Sequence, residues 1–205
     1  MKKMILTALV LTFITSAQAF AFMEMAESGD VGGQGAYRVG LIPQVKTSDG
    51  SGANISGFFD TGLNDETSAR LWLGSGDTDL LLGGTVKWIP IPDYNNQPAV
   101  GGRVGAFFFR KSSESFTTFR FDPLISKKFE TDLGLLTPYA AVPIMLVNHN
   151  SSSTTELQLT LGSEYVHPDV KKLRFGAELG FDVKDSFSYI SAYVSIALDD
   201  LKRGQ

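Results

Sequence analysis

The chain has 205 residues, 43% of them apolar, 20% charged and 11% aromatic, with 21 Gly, 2 His and no Cys. That excludes a disulfide scaffold, a cysteine-based zinc site and a thiol nucleophile. With 18 basic against 22 acidic residues and no Lys/Arg block, a nucleic-acid partner is not expected either.

The chain opens with Lys2 and Lys3, the apolar run Met4 to Ile14 and the small residues Ser16-Ala17-Gln18-Ala19. These are the three regions of a secretory signal, with an A-x-A site that places cleavage after Ala19. The apolar run is too short to cross a ~30 Å hydrocarbon core as a helix, and no later segment approaches ~20 apolar residues. An exported, cysteine-free chain points to a bacterial envelope, and any membrane crossing must be made by strands. Residues 20–35, which include Gly29-Asp30-Val31-Gly32-Gly33-Gln34-Gly35, read as a flexible N-terminal lead.

From residue 36 the pattern has period two. Leu173, Phe175, Ala177, Leu179, Phe181 and Val183 alternate with Arg174, Gly176, Glu178, Gly180 and Asp182, long enough to cross a bilayer at a tilt. Polar and Gly/Pro clusters divide the chain into strands at 36–45, 53–61, 68–73, 78–89, 99–110, 115–126, 135–147, 155–166, 172–183 and 188–198. The third is short, so eight or twelve strands also fit. Connections of a few residues suit antiparallel neighbours and cannot hold a crossover helix. The fold class is therefore all-β: an antiparallel up-and-down barrel over 36–198, followed by a polar tail at 199–205.

Alternation fits a membrane barrel and a soluble exported ligand-binding barrel equally, so the polar row must decide. It holds Arg38, Arg70, Lys87, Arg103, Arg120 and Arg174 against Asp79, Asp122, Glu156, Glu164, Glu178 and Asp182. Equal and opposite charge suits a narrow, charge-paired lumen. Gly83, Gly101, Gly105, Gly162, Gly176 and Gly180 share that row, where a missing side chain leaves room for a long neighbouring Arg. About fifty apolar side chains exceed a small barrel's interior and fit better against lipid. Phe107 and Phe109 are exceptions, lying in the luminal row. Trp88, Tyr94, Tyr165 and Tyr189 stand at strand ends, where rings favour bilayer interfaces.

Residues 74–88, a Gly-x-Gly-Asp turn followed by a leucine/glycine strand ending in Lys87-Trp88, resemble a pattern of bacterial outer-membrane β-barrel proteins, including small porin-like barrels. Thr137-Pro138-Tyr139 is similar to the Pro-Tyr strand starts of that group. The resemblance implies a transmembrane barrel in the bacterial outer membrane, with outer-membrane lipid and the barrel-assembly machinery as partners. It departs from the group where Asp199 to Gln205 follow the last strand in place of a terminal aromatic.

Chemistry is sparse. Gly74 to Asp79 resembles a single calcium-binding nonapeptide, but those sites need stacked repeats. Asn148-His149-Asn150-Ser151-Ser152-Ser153 with Glu156 resembles the His and Ser of outer-membrane lipid A deacylases, yet it falls at a predicted loop, where such residues serve turn chemistry. No cofactor, metal or catalytic set is expected. The expected role is structural or surface interaction. The alternatives are a narrow channel for small solutes or ions, a lipid-modifying hydrolase and the soluble ligand binder.

Overall fold

A computed structural model describes residues 24–48 and 52–198; the signal segment, residues 20–23 of the lead, loop residues 49–51 and the tail 199–205 lie outside the described residues. The strands are β1 (Tyr37–Lys46), β2 (Gly52–Gly62), β3 (Thr67–Gly76), β4 (Leu80–Ile91), β5 (Ala99–Lys111), β6 (Glu114–Ser126), β7 (Phe129–Thr131), β8 (Gly134–Ala141), β9 (Ile144–His149), β10 (Ser152–Val166), β11 (Leu173–Lys184) and β12 (Tyr189–Ala197).

Neighbours pair antiparallel along the chain, and β12 returns to pair with β1, so the sheet closes without an edge. β8 and β9 are two parts of one wall strand, since each pairs with β6 on one side and β10 on the other. The break falls at Val142-Pro143, where proline has no N–H to give the ladder. The Val142 N–H to Pro123 carbonyl and Gln158 N–H to Pro143 carbonyl bonds stitch it to both neighbours. Counted this way the wall has ten strands, as the sequence pattern predicts. The third is a full strand of 10 residues, held along its length by β2 and β4. β7 is a short flap on β8 at the rim.

Period two sorts the side chains as a membrane barrel requires. Leu41, Ile55, Leu71, Leu73, Leu82, Val104, Phe119, Phe121, Leu161, Leu179, Phe181 and Ile190 project outward around the wall, Leu71 with 63% of its surface exposed. A continuous apolar belt of this kind is far larger than a water-facing surface tolerates. The polar row and a minority of rings face inward, opposite to a soluble barrel. Trp88, Tyr94 and Tyr165 sit at the rim where β1 begins and β12 ends, here the terminal mouth; Trp88 donates to Glu66 and Tyr165 to the Leu133 carbonyl. Tyr189 does not join them. It points into the lumen, is 1% exposed and donates to Glu178.

Four of the six inward glycines make room for aromatic rings, while Gly105 lies directly across from Arg120 as expected and Gly101 from Leu124. Gly83 lies directly across from Phe107, Gly162 from Tyr139, Gly176 from Tyr193 and Gly180 from Tyr189. At Gly180 an added Cβ would stand 1.9 Å from Tyr189 Cε1. The bare backbone is thus the floor on which each ring lies.

Candidate functional site in the barrel lumen

The lumen has two halves. Toward the distal mouth, Ile42, Phe58, Trp72, Leu81, Phe107, Phe109, Phe116, Met145 and Val147 form an apolar cluster. Phe109 stacks on Phe116 with ring centroids 4.7 Å apart, and Trp72 meets Phe107 edge-on at 6.0 Å. Phe107 and Phe109 therefore do face inward. Toward the terminal mouth the wall carries a second apolar cluster, Ile89, Ala99, Leu124, Tyr139 and Ala141 around Met25, together with most of the lumen's charged side chains.

On one side Arg70 of β3, Lys87 of β4, Arg103 of β5 and Arg120 of β6 form a basic wall. Its own counter-ions fall short. Asp122 accepts from Arg103 Nε at 2.7 Å and from Arg120 Nε at 2.9 Å, and Asp60 accepts from Arg70 Nη2 at 2.8 Å. Across the lumen stand Glu164 of β10 and Glu178 of β11, with Arg174 beside Glu164 at 2.8 Å. In a ten-stranded ring β3 and β4 lie opposite β10 and β11, so Arg70 and Lys87 stand across from Glu164 and Glu178.

Between them runs the N-terminal segment. Residues 24–28 are buried inside the barrel, so the lead expected to be free is instead seated in the lumen over this stretch. Its backbone N–H groups turn to the acidic wall. Met25 and Ala26 donate to the two oxygens of Glu178 at 2.8 Å, and Ser28 donates through N–H and hydroxyl to Glu164 at 2.9 Å. Its carbonyls turn to the basic wall: Met25 accepts from Arg103, Ala26 from Arg70, and Ser28 and Asp30 from Lys87. The Glu27 carboxylate lies 2.9 Å from Lys87 Nζ, 2.9 Å from Arg103 Nη1 and 3.8 Å from Arg70 Nη2. It is the missing counter-ion of the basic wall. At the terminal mouth Asp30 closes the arrangement by pairing with Arg174 and Lys128.

Of the residues expected in the lumen, Arg70, Lys87, Arg103, Arg120, Asp122, Glu156, Glu164 and Glu178 are buried there. Arg38 and Arg174 line a cavity of about 60 Å³ just inside the terminal mouth, where Arg38 donates to Ser195 at 3.2 Å. Two expectations fail. Asp79 and Asp182 are exposed, because each lies where its strand has run out of the barrel: Asp79 receives the Ser112 N–H in a distal turn and Asp182 the Ser186 N–H.

The His149 group does not assemble into a catalytic set. His149 stacks on Phe116 at 4.3 Å and lies 3.7 Å from Glu114, Ser152 donates to the His149 backbone carbonyl, and Glu156 is turned into the lumen. Among the described residues no group of His, Asp and Glu could hold a metal ion, the Gly74 to Asp79 turn included.

No protein family and no curated relative matches the chain. The solved structures it is similar to are membrane barrels. An outer membrane channel from Pseudomonas putida F1 aligns over 86% of this chain and 100% of its own at 10% identity, TM-score 0.49. The translocator domain of the autotransporter NalP from Neisseria meningitidis aligns over 82% and 90% at 13% identity, TM-score 0.48. A de novo designed transmembrane β-barrel aligns over 82% and 99% at 13% identity, TM-score 0.41.

Reading the strands alone missed Glu27, Asp30, Asp60 and Ser126. Asp60 was legible, as it shares the parity of Asn54, Ser56 and Phe58. Glu27 carried no periodic signal, for its segment is bound by side chains and belongs to no ladder.

Proposed function

We propose that the chain is an integral protein of the bacterial outer membrane whose barrel is closed at rest by its own residues 24–31, and that its role is structural or surface-directed and not catalytic. The single observation behind this reading is the seating of Glu27 between Lys87, Arg103 and Arg70. A water-filled conduit would leave these groups hydrated, whereas Arg103 is 0% exposed and each of its three nitrogens has a protein acceptor. The apolar outer belt and the signal-like N-terminus support the location, and the short distal connections offer no aromatic anchors for a strong protein-binding hot spot. The test is planar-bilayer recording on protein whose gel mobility shifts on boiling, as a closed barrel's does. Silence is the expected result. Steady unitary currents from the intact chain would overturn closure and favour the narrow channel.

A further inference from the structure

We propose that the charged half of the lumen is a binding slot for an extended acidic peptide, and that residues 24–31 are its resident ligand. This rests on the reading of that segment as a seal. Among the described residues, no backbone–backbone hydrogen bond joins residues 24–31 to the wall. Every bond that holds the segment ends on a wall side chain, which is how a groove holds a peptide and not how a sheet holds a strand. The acidic wall reads N–H groups and the basic wall reads carbonyls, so main-chain recognition is independent of sequence.

Three features add selectivity. Glu27 fills a socket of three cations. Gly29 is required because a Cβ there would stand 2.7 Å from Ser126 Oγ and 3.1 Å from Ala99 Cβ. Ala26 adopts φ 46, a left-handed conformation that a non-glycine residue enters at a cost. The slot thus prefers a Glu-Ser-Gly sequence with a turn-forming residue before it. The connection to β1, residues 32–35 (Gly-Gly-Gln-Gly), is exposed, carries three glycines and is tied to the wall by the Gly35 N–H to the Gly62 carbonyl, so a cut there frees the segment from the chain without removing a contact of residues 24–31.

The experiment places a specific protease site in residues 32–35 of the full chain, cuts the folded protein in detergent micelles, and follows a fluorescent peptide of residues 24–31 by anisotropy. The heat-dependent gel shift monitors the fold. The cut barrel should release its segment on dilution and take up the labelled peptide saturably. Loss of the charge that meets three cations in a Glu27→Gln peptide should weaken binding by at least roughly 10- to 100-fold, and an Ala26→Gly peptide should bind more tightly.

A cut segment that never exchanges, absence of uptake, or equal binding of a Glu27→Lys peptide would overturn the proposal. If cutting destroys the fold, the uncut Glu27→Lys chain, whose own segment is repelled, must bind the free wild-type peptide where the intact wild type does not. Loss of fold in both would make the segment part of the wall and overturn it too. Currents from the intact wild type would refute closure itself; a silent wild type whose cut form takes up no peptide refutes only the slot.

Discussion

The two halves of the lumen are closed by different physics. The distal half is filled by rings rooted in the strands: Trp72, Phe107, Phe109 and Phe116 pack against one another, and removing any of them means changing the wall. The terminal half is filled by a segment that belongs to no strand: Met25 packs on Ile89, Ala99, Leu124, Tyr139 and Ala141, while charges and hydrogen bonds hold its backbone and Glu27. Apolar packing is indifferent to what it covers, but a buried charge must be met by a counter-charge or by donors at close range. The wall of the terminal half is therefore incomplete without Glu27, whereas that of the distal half is complete in the strands themselves.

Substitutions in each half separate these two modes of closure. The largest effect is expected for Arg103→Glu, which leaves a third carboxylate between Glu27 and Asp122 with no cation of its own. Breaking such a buried pair costs about 3–5 kcal/mol, read as a lower temperature for the heat-dependent gel shift. Trp72→Ala in the distal half should cost a similar ~3–5 kcal/mol, mostly through loss of packing and in smaller part through loss of the ring that Arg70 and Arg103 lie over at 5.0 and 5.8 Å.

Gly180→Ala tests the glycine floor under Tyr189 and should cost about 1–3 kcal/mol, since the ring must move off a directly opposed backbone. An alanine that leaves urea unfolding in micelles unchanged would count against that packing.

The smallest effect belongs to the rim. There Asp93 suffers some loss of hydration, but the Lys127 ammonium and the Lys128 N–H hold its carboxyl below the ordinary range. A lowered folded-state pKa means that the stabilisation is present above the ordinary Asp value and is lost as the pH falls through the folded one. Asp93→Asn should remove that acid dependence and cost under about 1 kcal/mol near neutral pH.

Much of the wall was legible because strand parity is a local property. In Leu173 to Val183 the alternation alone assigns Phe175 and Leu179 to the outer face and Glu178 to the lumen, and the structure places them so. Parity fails at the strand ends, where the alternation continues past the rim and Asp79 and Asp182 reach water. It also gives the right row but the wrong neighbour for Gly83, Gly162, Gly176 and Gly180, though Gly105 does face an arginine, Arg120. Which residue lies across from Gly83 is set by register, and register places a ring there.

The sequence by itself determined an antiparallel barrel of about ten strands with an apolar outer face and a charged inner one, because a closed barrel repeats one two-residue rule around its circumference. Only the tertiary structure decided that Arg70 and Lys87 stand across the lumen from Glu164 and Glu178, and that residues 24–31 lie between. That arrangement depends on which strands face each other through space, and Coulomb attraction across a lumen leaves no period in the chain.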